Sequence, residues 1–514
     1  MSLASACLWT LARTLVICLI AWPVCVAVER WLRRLSDGLR SAALIVLLAP
    51  FCFPELLVGY ALRDIALDHP RWFERLVRYL FSDWYEDATK LASVVRTSWA
   101  EALCSGLLFV RVVPVGAIAL LMAPPGELDA AAMHCRRMLV RARKDSAREW
   151  LELAKCYWHG PIARALPALG LMAVVSFQEF ELAALLMTTS WTDWFVAAER
   201  VGLNRGEMLR QTSWPLLMQL PVLLAIVWWL RRAAVHRQGE ASTESEVIAI
   251  GRSNRVTCWF AAGYVAIAFL VGCLVPLSLI GWRTIDGLSL LLRQRTQQMG
   301  LAREMAISTA VALCAGLTAW AICRAISLTS PTRERGFRDH SARSPRSRVG
   351  LVRGVILLLP GLLGSLLLSL GMVALFQVSW LRPLYDTPLP WVLALTLWLL
   401  PRAAVLQLWL DATRPSEAVH LAKMLGDHQP SALLWRLRDQ PQFLAMGLLC
   451  YWAYCDLPTA YLLAPTGMAS GLVRLYNFMH FGRSAALSAE ACLFFAAPLI
   501  GLGVGLMIVR WSSR

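Results

Sequence analysis

Charge is scarce in this chain. Of its 514 residues only 16% are charged, while 58% belong to the apolar set; an ordinary soluble domain carries about a quarter charged residues. That balance excludes a soluble globular enzyme and a disordered protein, since neither could keep so much apolar surface from water. Lysine is scarcer still. Only Lys90, Lys144, Lys155 and Lys423 occur, and none precedes Ser or Thr. The G-x-x-x-x-G-K-[ST] loop that cradles phosphates is therefore absent. The eight histidines form no H-E-x-x-H pair, and there is no G-x-S-x-G elbow, so metal-assisted and serine hydrolysis lack their usual patterns. No C-x-x-C pair occurs among the 14 cysteines. Twelve of them sit in apolar runs and read as small buried hydrophobes, while Cys135 and Cys156 lie in a basic stretch.

What is present is apolar sequence in long runs. Eleven stretches of about 20 apolar residues, each bounded by charge, read as membrane spans: 5–28, 40–61, 97–122, 162–188, 213–230, 256–282, 304–323, 351–380, 388–410, 441–464 and 487–509. The expected fold is an all-α polytopic bundle in membrane lipid. The first run carries its basic cluster after the apolar residues, at Arg30, Arg33 and Arg34, so it reads as an uncleaved span and not a signal peptide.

The net charge of +16 invites a nucleic-acid reading. However, the basic residues lie scattered between apolar runs and make no single face, so no nucleic acid is expected. They mark topology instead. With the N-terminus outside, the inner segments hold 30 Arg and Lys and the outer ones 16. The C-terminus is then cytoplasmic. Residues 331–350 are Arg- and Ser-rich and read as an inner loop that lies on anionic lipid. Residues 237–253 read as a cytoplasmic linker between two halves, 1–236 with about five spans and 254–514 with about six.

Two inner loops share a pattern. Glu149–Lys155 reads EWLELAK and Glu417–Lys423 reads EAVHLAK, both E-x-x-x-L-A-K. Each precedes a span that contains an acidic residue, Glu179 in the first half and Asp456 in the second. The shared context reads as an internal duplication.

At these loops the chain resembles the permease subunits of binding-protein-dependent ABC importers, whose cytoplasmic loop reads roughly E-A-A-x-x-x-G. His420 to Gly426 matches at Ala422 and Gly426, with His420 where the family has Glu. In the first half Glu152 and Ala154 match, but Trp158 stands at the glycine position. Residues 464–493 are similar to the fused two-half iron(III)-type permeases. That resemblance implies two homologous permease halves in a bacterial inner (cytoplasmic) membrane. It also implies an ABC ATPase dimer on the cytoplasmic side, which binds the ATP, and a separate periplasmic or lipid-anchored solute-binding protein. Iron(III) or another small ion or chelate would be the substrate. Glu149, Glu152, Leu153, Ala154, Lys155 and Trp158 would form one ATPase-coupling loop. Glu417, Leu421, Ala422, Lys423 and Gly426 would form the other. Trp158 cannot make a tight glycine turn, so the first loop is expected to dock its ATPase differently.

Ionisable groups inside a membrane are costly and face protein or water. Glu179, Glu181 and Asp456, with Tyr454 beside them, are therefore expected along a translocation pathway, and Glu55 and Gln178 less so. The plainer alternative is that each acid holds a helix break or a neighbouring Arg. A second function fits the same acids: a secondary transporter that couples to an ion through Glu179 and Asp456. A membrane enzyme fits poorly, because the catalytic motifs are missing. The 23 tryptophans lie partly at span ends, among them Trp22, Trp282, Trp380 and Trp391, as interfacial anchors do.

Overall fold

In a computed structural model, residues 2–67, 85–122, 138, 163–200, 205–237, 255–293, 295–328, 359–413, 434–481 and 485–512 are described. Among them every regular element is helical. An apolar environment offers the backbone no water, so each segment must satisfy its own N–H and C=O groups, and the helix does that locally. Six described helices are long and apolar enough to cross a membrane, or seven if a pair bent by 69° counts as one span. The chain is a membrane-embedded, all-helical protein.

The helices, in order, are α1 (Leu3–Leu32), α2 (Asp37–Cys52), α3 (Glu55–Leu67), α4 (Tyr85–Met122), α5 (Ala163–Phe177), α6 (Glu181–Leu186), α7 (Trp191–Arg200), α8 (Arg205–Gln211) and α9 (Ser213–Arg237). They continue with α10 (Arg255–Phe269), α11 (Val275–Arg293), α12 (Arg295–Leu328), α13 (Ser365–Phe376), α14 (Leu389–Thr413), α15 (Gln440–Tyr454), α16 (Leu457–Leu463), α17 (Gly471–Phe481) and α18 (Ala485–Ser512). Several expected spans are subdivided. Residues 40–61 become the bent pair α2–α3, 162–188 become α5 and α6, and 441–464 become α15 and α16. Of 351–380, the description begins at Leu359.

Two compact units divide the chain: Met1–Gly202 with Ser213–Pro276, and Leu203–Thr212 with Leu277–Arg514. The division at Pro276 falls inside a continuous helix, at the end of a π-helical turn over Leu270–Leu274. It does not fall in 237–253, of which 238–253 lie outside the described residues. The helix at 256–282, read from sequence as leading the second half, packs over α10 on α1 and α2 of the first unit.

Within the first unit α1 packs on α4 and α5, and α3 packs on α6. Within the second, α12 packs on α14 and α15, and α13 packs on α16. In order, α1 to α7 with α9, and α12 to α18, each run long helix, interrupted element, helix, helix broken near an acid, amphipathic helix, final long helix. Small residues permit the close approaches, as is usual where helices meet without water to drive them together. A Cβ at Gly116 would lie 2.7 Å from Cys25 Sγ, and one at Gly316 would lie 3.3 Å from Cys450 Cα.

Candidate functional site

Each unit contains a polar node where two interrupted helices pack together. In the first unit the chain breaks twice. Phe53 precedes Pro54 and is extended (φ −72°, ψ 135°), as the residue before proline tends to be; α2 stops there and α3 starts at Glu55. The second break covers residues 178–180, between α5 and α6. A Cβ at Gly59, the fifth residue of α3, would sit 2.8 Å from the Cδ1 of Leu185, the fifth residue of α6. Helices α3 and α6 touch at the fifth residue of each, and Glu55, at the start of α3, lies near enough to Glu179, just before α6, to act on it electrostatically.

Acidic groups occupy these helix starts, where negative charge is favoured. The Glu179 carboxylate accepts the amides of Leu182 and Ala183, the latter at 3.2 and 3.3 Å. Glu181 lies in the first turn of α6 and is buried. Glu55 pairs with Arg111 at 2.5 Å. Arg111 comes from α4 and also donates to the carbonyls of Pro50, Phe51 and Phe53 at 3.3, 3.2 and 2.9 Å. One guanidinium thus satisfies the open end of α2 and the first residue of α3. The carbonyls of the second break are met from the following segment. Trp191 Nε1 donates to Phe177 at 2.7 Å, and Thr192 Oγ1 to Glu179 at 2.7 Å. Met187 ends α6 in the left-handed region at φ 56°.

The second unit repeats the device with other residues. Gly364 separates a 3-10 turn (Pro360–Leu363) from α13 at φ 89°, a backbone angle that favours glycine. Asp456 caps α16, accepting from Thr459 N at 3.1 Å and Thr459 Oγ1 at 2.5 Å. Ser365 is the first residue of α13, as Glu55 is of α3, and α13 packs on α16. Arg402 of α14 donates through Nη1 to Trp398 O at 2.9 Å, and its guanidinium lies 3.7 Å from the Trp398 ring centroid.

The pathway candidates are thus engaged in structure. Tyr454 donates to Phe494 O at 3.0 Å and stacks on the Phe494 ring at 4.5 Å, tying α15 to α18. Gln178 donates to Gln219 at 2.7 Å and ties the first break to α9. Glu55 holds the neighbouring Arg111, and Glu179 and Asp456 each hold a helix start. The eleven coupling-loop residues, Glu149, Glu152, Leu153, Ala154, Lys155, Trp158, Glu417, Leu421, Ala422, Lys423 and Gly426, lie outside the described residues.

Two further ion-pair clusters were not singled out from sequence. Arg13 of α1 pairs with Glu101 of α4 at 3.0 Å and donates to Thr189 O at 3.4 Å. Arg474 of α17 pairs with Glu304 of α12 at 3.2 Å and Glu490 of α18 at 3.1 Å. A usable signal existed: each is a charge inside or beside an apolar run, which requires a partner. Outside the spans, Asp386 accepts from the Thr466 hydroxyl and amide at 2.7 and 2.9 Å, and these bonds hold its carboxyl below the ordinary carboxylate range. They fasten the turn after residue 377 to the Thr466–Gly467 turn. Among the described residues no group of three or more His, Cys, Asp and Glu is placed to hold a metal ion.

The cap at Asp456 yields a direct expectation. Asp456→Ala should cost about 1–2 kcal/mol, the usual range for losing a helix N-cap. Asp456→Asn, which keeps an acceptor, should cost less. Thermal unfolding in detergent reports both; equal melting of the two variants and the parent would contradict the capping role.

The fold and site define a membrane-embedded helical protein whose interrupted helices are pinned by buried ionic groups. Comparison with known protein families, curated proteins and solved structures returns no match to this chain.

Proposed function

We propose that the chain is the membrane-spanning permease of an ATP-driven ABC importer, formed of two homologous halves. The observation that carries this reading is a paired one. Each E-x-x-x-L-A-K loop is followed by a helix that breaks at a capped acid, Glu179 after the first loop and Asp456 after the second. Either broken helix packs through its short C-terminal piece on a second interrupted element, α6 on α3 and α16 on α13. Such linked rigid pieces suit a device that converts closure of an ATPase dimer into rigid-body motion of the spans.

In this reading an ABC ATPase dimer binds the two inner loops, and ATP is held and hydrolysed there. Leu421 supplies apolar contact, and Glu417 and Lys423 polar contact. A separate solute-binding protein delivers the cargo from outside. Iron(III) or another small ion or chelate is the substrate that the resemblance favours. The protein resides in a bacterial inner membrane, with its N-terminus outside and its C-terminus in the cytoplasm.

Co-purification tests the assignment. The full chain should bring down its ATPase, and Gly426→Trp should abolish that recovery while the chain remains folded in detergent. The competing reading is secondary transport coupled through Glu179 and Asp456. Uptake driven by an ion gradient in ATP-free vesicles, lost in Asp456→Asn, would establish that reading and overturn the importer.

A further inference from the structure

One end of the first unit gathers arginines beside outward-facing apolar side chains. Arg34, just past α1, donates to Cys258 Sγ on α10 at 3.7 Å. Arg255 lies three residues before Cys258, one helical turn away on the same face, and is exposed. Helices α2 and α10 run in the same direction: Arg34, before α2, meets Cys258 near the start of α10, and Gly272, in the π-helical turn after α10, meets Pro50 near the end of α2 (a Cβ there would lie 2.7 Å from Pro50 Cβ). The start of α2, with Arg40 in its first turn, is therefore level with the start of α10. Arg30 in the last turn of α1 is exposed at the same end, and Arg33 pairs with Glu29. Glu29 is the described acid here, and Asp37 adds a second acidic residue by sequence. Among the described residues at this end, arginine therefore outnumbers acid.

The surface next to these arginines is apolar and open. Leu39 is 62% exposed, Val256 68% and Trp259 78%. We propose that this end of α1, α2 and α10 binds the headgroup of an anionic phospholipid. Its phosphate is held between Arg34 and Arg255, and its acyl chains lie along Trp259 and Val256. A basic cluster at the inner end of spans attracts anionic lipid, and Arg presents a planar fork to phosphate oxygens. Free phosphate has the same charge but no use for the exposed Trp259, Val256 and Leu39, so the lipid is the occupant that matches both features. This inference rests on the inner-face orientation within the function proposed above, and not on an ATPase or a transported ion. It can fail while the importer reading stands, and the reverse.

The full chain is reconstituted with phosphatidylcholine, with and without phosphatidylglycerol, and the lipids it retains are counted by native mass spectrometry. The parent should retain phosphatidylglycerol preferentially. Arg34→Gln with Arg255→Gln should reduce that preference about thirty-fold, the combined effect of two arginines at an anionic surface. Arg293→Gln, at the last residue of α11, should leave it unchanged. Melting in phosphatidylcholine alone shows that the double variant is folded. Equal retention of both lipids by the parent, or an unchanged preference in the double variant, would overturn the site. Displacement of phosphatidylglycerol by excess inorganic phosphate would overturn the lipid as its occupant.

Discussion

Arg111→Met should lower the stability of the first unit by about 3–5 kcal/mol, the usual result of removing one partner from a buried ion pair. The size follows from what the guanidinium holds. It meets three carbonyls at the end of α2 and the Glu55 carboxylate at the start of α3, and its side chain is only 9% exposed. Methionine fills similar volume but leaves all four acceptors without that donor in a poorly hydrated place. Arg111→Lys should fall between, since a point charge cannot spread its donors over the same arc of acceptors. The double variant Arg111→Met with Glu55→Leu should recover part of the loss, because the stranded charge is gone while the carbonyls remain unmet. Melting followed by tryptophan fluorescence in detergent would show a drop on the order of 10 °C for Arg111→Met. A parent-like melt would mean that the α2–α3 break does not depend on this residue.

Gly361→Ala should be the more damaging of two single-methyl additions in the second unit. A Cβ at Gly361 would overlap the Leu397 carbonyl oxygen and come within 2.5 Å of Pro401 Cδ, so backbone and ring would both have to move. Neither is the end of a flexible side chain, and overpacking of this kind costs about 1–3 kcal/mol or more. Gly371→Ala is the matched control. It lies in α13, nothing comes within 4 Å of its added Cβ, and replacing a helical glycine by alanine gains up to about 1 kcal/mol. The same two melts should therefore move in opposite directions. If they moved together, the close contact between the 3-10 turn and α14 would not be a feature of the folded protein.

Both expectations concern places where the chain interrupts itself, and these interruptions were partly written in the sequence. Asp456-Leu457-Pro458 is an acceptor followed by proline in the first turn, a helix-start signature. Pro54-Glu55 is another. Read as spans, the runs 40–61 and 441–464 conceal those signals, because total apolarity is insensitive to a two-residue break. Glu179 had no such marker. Its neighbours Phe177, Gln178 and Phe180 carry no proline or glycine, and the break there depends on Trp191 and Thr192 reaching back to its carbonyls. No local pattern encodes a partner that arrives a dozen residues later.

The polar node shows the same division. Glu55, Glu179, Glu181 and Asp456 stood out as acids in apolar surroundings, since such residues need a reason to be there. Their partners did not stand out. Arg111 sits mid-helix, far from Glu55 in sequence, and only packing brings it to the node. In the fold Glu179 and Asp456 accept from the amides of a helix start, and Glu55 pairs with Arg111.

What the sequence determined by itself is the class. Long apolar runs bounded by arginine require helices in a membrane, because lipid leaves the backbone no other donors or acceptors. The repeated E-x-x-x-L-A-K segments and the acids that follow them are likewise a property of the chain alone. Tertiary structure decided where each run is cut, which unit owns the helix beginning at Arg255, and what each buried charge touches. Those outcomes depend on contacts between residues tens to hundreds of positions apart. Their energies, a guanidinium on three carbonyls or a glycine under a proline ring, exist only once the helices have met.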